Sequence, residues 1–153
     1  MSFSATIATL GGLGRVRKAP GTVASFVTLI AAWPLAGIGG QALVLLASIG
    51  TMAVGGWAAE HYARECGVAD PPDCVIDEVA GQFLACAFAP RELLAYGLVF
   101  LLFRALDIFK PWPIGAAERL HGGVGIVADD MVAGLLAGFV IVLLAQAGVA
   151  WPF

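Results

Sequence analysis

The chain alternates between long apolar stretches and short polar segments. From Ala19 to Ala59, 41 consecutive residues carry no charged side chain. A helix needs about 20 apolar residues to cross a bilayer, so this run predicts two crossings. The turn-forming segment Gly37-Ile38-Gly39-Gly40 divides it into a first crossing over about Val23–Ala36, bent by Pro34, and a second over Gln41–Ala59.

Three further apolar stretches follow. Val79–Pro90 and Leu93–Phe103 are separated only by Arg91-Glu92, and each is short for a complete crossing. Met131–Phe153 has no charged side chain over 23 residues and predicts a fifth crossing. Its Gly134–Gly138 segment has the small-xxx-small spacing that lets helices pack closely, within one chain or between chains. The pattern predicts an all-α, polytopic membrane protein with four to five membrane-embedded helices, forming a single domain over residues 1–153.

Composition strengthens the membrane prediction. Hydrophobic residues make up 60% of the chain and charged residues 12%, whereas soluble domains average about 45–50% and about 25%. With 8 basic and 11 acidic residues the net charge is -3, which argues against a nucleic-acid partner. Phe3–Leu13 is weakly apolar, but the positive charges follow it instead of preceding it. We therefore expect residues 1–22 to be a retained segment lying at the membrane surface.

The charged residues are concentrated in three segments. If five crossings begin inside, residues 1–22, 60–78 and 104–130 are cytoplasmic, and they hold 17 of the 19 charged residues. Seven of the eight basic residues lie there, Arg91 being the exception, as the positive-inside tendency predicts. We therefore expect a charged site at the cytoplasmic interface.

Two clusters of ionisable residues lie at the ends of predicted crossings. Asp77-Glu78 precede the third apolar stretch, where Asp77 is placed to cap the helix. Arg104, Asp107 and Lys110 are spaced by three residues and can share one face of a helix end. Each cluster has an ordinary structural alternative, because acids commonly cap helices and paired charges commonly lie at an interface.

A third cluster runs from His121 to Asp130. Gly122, Gly123 and Gly125 predict a glycine-rich loop whose backbone N–H groups can converge on a ligand, and Asp129-Asp130 then open a helix. Carboxylates bind Mg²⁺ together with substrate phosphate, and basic groups complement phosphate oxygens. The three clusters together predict an interfacial site for a phosphate ester on a lipid headgroup.

Four motifs resemble the phosphatidylglycerophosphatase A family. They are Lys18-Ala19-Pro20-Gly21-Thr22-Val23-Ala24-Ser25, Val75-Ile76-Asp77-Glu78 with Gly81, Phe103-Arg104 through Asp107 to Lys110-Pro111-Trp112-Pro113-Ile114, and His121-Gly122-Gly123-Val124-Gly125 through Asp129-Asp130 to Ala133-Gly134. The resemblance implies a magnesium-dependent phosphatase of the bacterial inner membrane. Such an enzyme converts phosphatidylglycerophosphate to phosphatidylglycerol and inorganic phosphate, the closing step of phosphatidylglycerol synthesis.

On this interpretation Asp77, Glu78, Asp129 and Asp130 bind Mg²⁺, and Asp107 completes the catalytic set as a further ligand or an orienting partner. The residues expected to contact the substrate phosphate are Arg104, Lys110, His121, Gly122, Gly123, Gly125 and Thr22. Thr22 or Ser25 can instead cap the first crossing. Attack by a metal-activated water and attack by a carboxylate both remain open.

The main rival interpretation is a small membrane transporter or channel subunit with an acidic cytoplasmic-side site. A passage needs polar residues along several crossings, whereas here they cluster at one end, which favours the enzyme. Oligomeric state is not predicted by the sequence. The cysteines Cys66, Cys74 and Cys86 show no metal-like pairing, and we expect structural roles for them.

Overall fold

A computed structural model describes residues 1–120 and 122–149. The predicted site residue His121 and residues 150–153 lie outside this range. The described residues form α-helices and a short 3-10 helix at Leu13–Arg15, with no strand among them. The six α-helices are α1 (Phe3–Ala8), α2 (Pro20–Cys66), α3 (Ile76–Ala87), α4 (Leu93–Phe109), α5 (Ile114–Ala117) and α6 (Gly122–Gln146). The all-α prediction is confirmed.

α2 is a hairpin of two helical arms that meet at Gly40. This residue has φ 64 and ψ -166, a non-helical conformation that glycine adopts because it has no Cβ. In the first arm Gly21 lies against Glu78, near the start of α3, and in the second arm Gly55 packs against Ile76 at the same place. In a straight helix Gly21 and Gly55 would be about 50 Å apart. The chain therefore reverses direction at Gly40, which confirms the predicted division at residues 37–40.

α3 lies at the centre of the bundle, packed against both arms of α2 and against α6. All its residues except Asp77 and Glu78 are buried. Gly134 of α6 packs directly on the Gly81 carbonyl, and a Cβ at Gly138 would lie 2.5 Å from the Phe88 ring. The small-xxx-small spacing in α6 therefore serves a contact within the chain.

α4 runs back along the bundle and brings its charged end to the start of α3. Near its beginning, Tyr96 packs edge-on against Trp33 of the first α2 arm, with ring centroids 5.2 Å apart. Between α3 and α4, the Arg91 Nε donates to the Trp33 carbonyl at 3.0 Å. Near the other end of α4, Arg104 reaches Ser25 at the beginning of the same arm. Arg91 and Arg104 therefore lie at opposite ends of the bundle.

α2 and α6 are long enough and apolar enough to cross a membrane. Only 11% of the most apolar stretch of α2 is buried, so its apolar side chains face mainly outward. α3 has 12 residues and α4 has 17, which gives lengths of about 18 and 26 Å. Both are shorter than the hydrocarbon core of a bilayer, about 30 Å. The number of four to five membrane-embedded helices stays a prediction.

The predicted starts of α2 and α3 are wrong by a few residues. α2 begins at Pro20, whose fixed φ suits the first helical position, so neither Thr22 nor Ser25 caps it. Ser25 lies inside the helix, where its hydroxyl donates to the Gly21 carbonyl at 2.8 Å. α3 begins at Ile76 after Val75, so Asp77 lies in its first turn and is not its N-cap.

The predicted start of α6 is wrong by about two helical turns, a larger error than for α2 and α3. α6 begins at Gly122, so the described glycines form the first turn of a helix and not a loop. A Cβ on Gly123 would clash with the Gly56 carbonyl, so the glycine lets the second α2 arm pack closely against this turn. Asp129-Asp130 therefore lie about two turns inside the helix, and the helix that contains the predicted Met131–Phe153 segment starts earlier than that segment. α6 ends at Gln146 within the described residues.

The Gly81–Gly134 contact generates a prediction about stability. In Gly134→Ala the added methyl group would meet the Gly81 carbonyl, and we expect the free energy of unfolding to fall by about 1–3 kcal/mol. Gly97→Ala is the matched control, since a Cβ there meets nothing within 4 Å and alanine favours the helix. Thermal unfolding of both variants in detergent measures the difference. Equal midpoints would mean that this contact does not limit the approach of α3 and α6.

Candidate active site

Three carboxylates meet where α3 and α6 pack together. One oxygen from each of Asp77, Glu78 and Asp130 lies within 4.8 Å of the others. The first two come from the first turn of α3, and the third comes from α6. Gly81 makes the meeting possible, because a Cβ there would lie 2.5 Å from the Asp130 carbonyl oxygen. We call Asp77, Glu78 and Asp130 the acidic trio.

The acidic trio is short of positive partners. Asp77 Oδ1, Glu78 Oε2 and Asp130 Oδ1 are buried and have no hydrogen-bond partner among the described residues. Burial raises the pKa of Asp77, and the charge of Glu78 raises it further. Buried carboxylate oxygens without a partner are destabilising. A divalent cation would give these oxygens a partner and would offset the repulsion among the acids. An all-oxygen donor set of this kind suits a hard cation such as Mg²⁺, so the residues present fit the predicted metal.

Arg104 lies beside the acidic trio. Its guanidinium donates to Asp107 Oδ2 at 2.5 Å and to the Ser25 hydroxyl at 3.4 Å, and it is 3.8 Å from Glu78 Oε1. Its Nε is buried and has no hydrogen-bond partner among the described residues. All three contacts are made by Nη1, so one edge of the guanidinium is held in place while donors on its other nitrogens are left for a ligand.

Lys110 ends α4 and turns toward α6. It adopts a left-handed backbone conformation with φ 43 and ψ 52, and its Nζ donates to Asp129 and to Glu118, each at 2.7 Å. Burial opposes the charge of Lys110, but these two hydrogen bonds outweigh it, so the pKa of Lys110 is raised and the amine stays charged.

The structure thus gives different surroundings to Asp129 and Asp130, which were predicted from the sequence to have the same role. Asp130 belongs to the acidic trio, whereas Asp129 pairs with Lys110. Neighbouring residues on a helix point about 100° apart, so both cannot face α3. The predicted metal set of four acids is brought together in three of its members, Asp77, Glu78 and Asp130.

A cavity of about 650 Å³ opens over these groups. The predicted site residues that line it are Asp77, Glu78, Asp107, Lys110, Gly122, Gly125, Asp129 and Asp130. Arg104, Thr22 and Gly123 are not among its lining residues. Thr22 follows Gly21, which contacts Glu78, and Gly123 packs against α2.

The cavity also contains charged residues that were not predicted from the sequence. Asp70, Glu118 and Arg119 lie in its wall. Burial raises the pKa of Asp70, and the charge of Asp129 adds to the rise. The only sequence signal for these residues was their place in the charge-bearing segments. The Lys110–Glu118 pair spans a chain turn and has no helical spacing that would have predicted it.

Comparison with known proteins identifies the family. The family model of phosphatidylglycerophosphatase A matches residues 6–145. The chain belongs to this family. A phosphatidylglycerophosphatase A of Escherichia coli (strain K12) is 31% identical over 145 residues, covering 92% of this chain and 81% of that protein. One of Haemophilus influenzae is 33% identical over 132 residues, covering 85% of this chain and 81% of that protein.

The family match contains all four motifs of the predicted resemblance, which is thereby confirmed. A Bacteroides thetaiotaomicron protein, provisionally named a phosphatidylinositol-3-phosphatase, is 34% identical over 93 residues, covering 59% of this chain and 57% of that protein. No solved structure matches the chain. Membership of the phosphatidylglycerophosphatase A family rests on sequence over nearly the whole chain.

The geometry of the acidic trio predicts which acids respond to metal. We expect Mg²⁺ to raise the unfolding temperature of the protein, with a stabilisation of about 2.7 kcal/mol at 100 times the dissociation constant. In Asp77→Asn we expect a higher unfolding temperature without metal, since one repelling charge is removed, and a much smaller shift with Mg²⁺.

Asp129→Asn is the control, because Asp129 pairs with Lys110 and lies outside the acidic trio. It should keep the full Mg²⁺ shift while unfolding at a lower temperature. A lost shift in Asp129→Asn with a full shift in Asp77→Asn would contradict the assignment of the trio as the metal site.

Proposed function

We propose that the chain is a magnesium-dependent lipid phosphatase of phospholipid biosynthesis. Its reaction is the hydrolysis of phosphatidylglycerophosphate to phosphatidylglycerol and inorganic phosphate, which makes it a phosphoric monoester hydrolase. The observation that carries the proposal is the acidic trio at a cavity that Lys110 also lines, with Arg104 beside Glu78, in a chain of the phosphatidylglycerophosphatase A family. The names of the Escherichia coli and Haemophilus influenzae relatives supply the substrate.

The charges at the cavity support a metal requirement. A phosphate monoester carries about -1.5 to -2 charges at pH 7, and the acidic trio would repel it. The trio is therefore proposed to hold Mg²⁺ through Asp77, Glu78 and Asp130. When bound there, the metal supplies positive charge that polarises the phosphoryl group and lowers the pKa of a water.

The basic residues have separate proposed roles. Arg104 lies beside the trio just outside the cavity lining, and its proposed role is to orient the phosphate with the guanidinium donors that its Nη1 contacts leave free. Asp107 positions Arg104. Lys110 adds positive charge at the cavity, and Asp129 positions it through their hydrogen bond. Gly122 and Gly125 contribute the first-turn amides of α6, where a helix favours anions.

We propose that the single domain lies in the bacterial inner membrane as a multi-pass protein with its site facing the cytoplasm. Support comes from the outward-facing apolar side chains of α2 and from the charges gathered at one end of the bundle. In this arrangement the two arms of α2 and α6 cross the bilayer, and α3 with α4 forms an embedded hairpin. The transporter interpretation gains no support from the comparisons.

The direct test is phosphate release by the purified protein. We expect inorganic phosphate from phosphatidylglycerophosphate in Mg²⁺ and none after chelation. Asp130→Asn should lower kcat/KM by at least about 100-fold, because a metal oxygen ligand is lost. Phosphatidylinositol 3-phosphate is the comparison substrate, chosen from the name of the third relative. Release from that lipid alone would overturn the substrate assignment, and release from neither would overturn the phosphatase proposal.

Lysine is not expected to replace Arg104 in the reaction. In Arg104→Lys we expect kcat/KM to fall by about 100-fold, because an ammonium cannot keep three neighbours and still offer a directed donor to the phosphate. The Mg²⁺ shift in unfolding temperature should persist, since the acidic trio is intact. Arg64→Lys is the control, because Arg64 is exposed and, within residues 1–120 and 122–149, forms its ion pair with Glu60 on its own helix. Equal activities of the two variants would remove Arg104 from phosphate binding.

A further inference from the structure

An apolar groove lies between the second arm of α2 and the beginning of α6, outside the acidic cavity. It has a volume of about 460 Å³, and among its described lining residues only Glu60 is charged. Its walls include the large side chains Met52, Trp57, Val127 and Met131. Met52 and Trp57 are 39% and 45% exposed, so the groove opens to the outside of the bundle.

The groove has a polar end and an apolar end. The second α2 arm and α6 run in opposite directions and approach closely at Gly56, where a Cβ would lie 3.5 Å from the Gly123 carbonyl oxygen. Glu60 therefore lies at the start of α6, and Met52 lies toward Met131, away from the charged end. From Gly123 to Met131 the groove follows about 12 Å of α6.

A smaller hollow connects the polar end of the groove to the acidic cavity. It has a volume of about 350 Å³ and shares Glu60 with the groove. It shares Ala69, Gly122 and Ile126 with the acidic cavity. The negative charge of Glu60 is paired with Arg64, which also lines the hollow. A continuous surface thus leads from the acidic cavity over the start of α6 into the apolar groove.

We propose that this groove binds one acyl chain of the phospholipid substrate while the phosphate lies in the acidic cavity. The inference rests on the proposed phosphatase function. A phosphatidyl phosphate joins an anionic headgroup to apolar chains through a short glycerol unit, and the surface presents the same order of polar and apolar regions. When the acyl chain binds, apolar surface of the acyl chain and of the groove leaves water or exchanges loose lipid contacts for closer ones. The groove therefore anchors the chain and sets the position of the headgroup.

The test fills the groove without touching the cavity. Ala53 lines the groove and Val54 beside it does not, while both are exposed on α2. For Ala53→Trp we expect KM for long-chain phosphatidylglycerophosphate to rise by about tenfold or more, since displacing even two methylene groups has that effect. KM for the dihexanoyl analogue and kcat for both substrates should be unchanged, and Val54→Trp should match the unmodified protein for both substrates.

The outcomes separate this inference from the proposed function. If the unmodified protein releases phosphate from neither substrate, the phosphatase proposal fails. If it is active and Ala53→Trp changes neither KM, or changes both equally, the groove proposal fails while the phosphatase proposal stands.

A binding measurement covers the case in which Ala53→Trp does not fold. Phosphatidylglycerophosphate carrying a photoreactive diazirine in one acyl chain should label Trp57 or Met131 in the unmodified protein, as mapped by mass spectrometry. Excess unlabelled phosphatidylglycerophosphate should compete, and phosphatidylcholine should not. Equal competition by both lipids would mean that the groove holds bulk membrane lipid, which would overturn the proposal.

Discussion

The close contact between α3 and α6 determines where the rest of the site lies. At Gly81 a Cβ would lie 2.5 Å from the Asp130 carbonyl oxygen and 2.7 Å from the Phe103 ring, so a larger residue would push both α6 and α4 away. This contact brings Asp130 to the first turn of α3 and places Arg104, next to Phe103, beside Glu78. Like charges repel, so helix packing and not attraction among the acids holds the acidic trio together.

The two basic residues beside the trio are held in different ways. Lys110 is bound by two carboxylates, Asp129 and Glu118, which together exceed its own charge. Arg104 has one carboxylate at hydrogen-bond distance and keeps its Nε without a partner among the described residues. A guanidinium can be anchored on one edge and donate from another, whereas an ammonium is a point charge. On the proposed function, this difference would give Arg104 the more directional interaction with the phosphate and Lys110 a less directional one.

Features that are fixed by a short stretch of sequence could be predicted, whereas features that depend on packing between distant helices could not. The division of α2 at Gly40 was predictable because a glycine-rich turn signal acts locally. The separate positions of Asp129 and Asp130 were not, since only the packing of α6 against α3 decides which of two adjacent acids faces the trio. The pairing of Lys110 with Glu118 likewise depends on the path of the chain through α5.

The glycine-rich segment before Asp129 shows why a motif can be recognised and its conformation still be wrong. Glycines permit a flexible loop, and they equally permit close helix packing, so the local sequence does not distinguish the two. The partner decides, and here it is Gly56, far away in the sequence. Gly123 packs on that partner while Gly122 and Gly125, in the same turn, line the cavity. One helical turn therefore serves packing on one side and the cavity on the other, and the two interpretations of such a motif do not exclude each other.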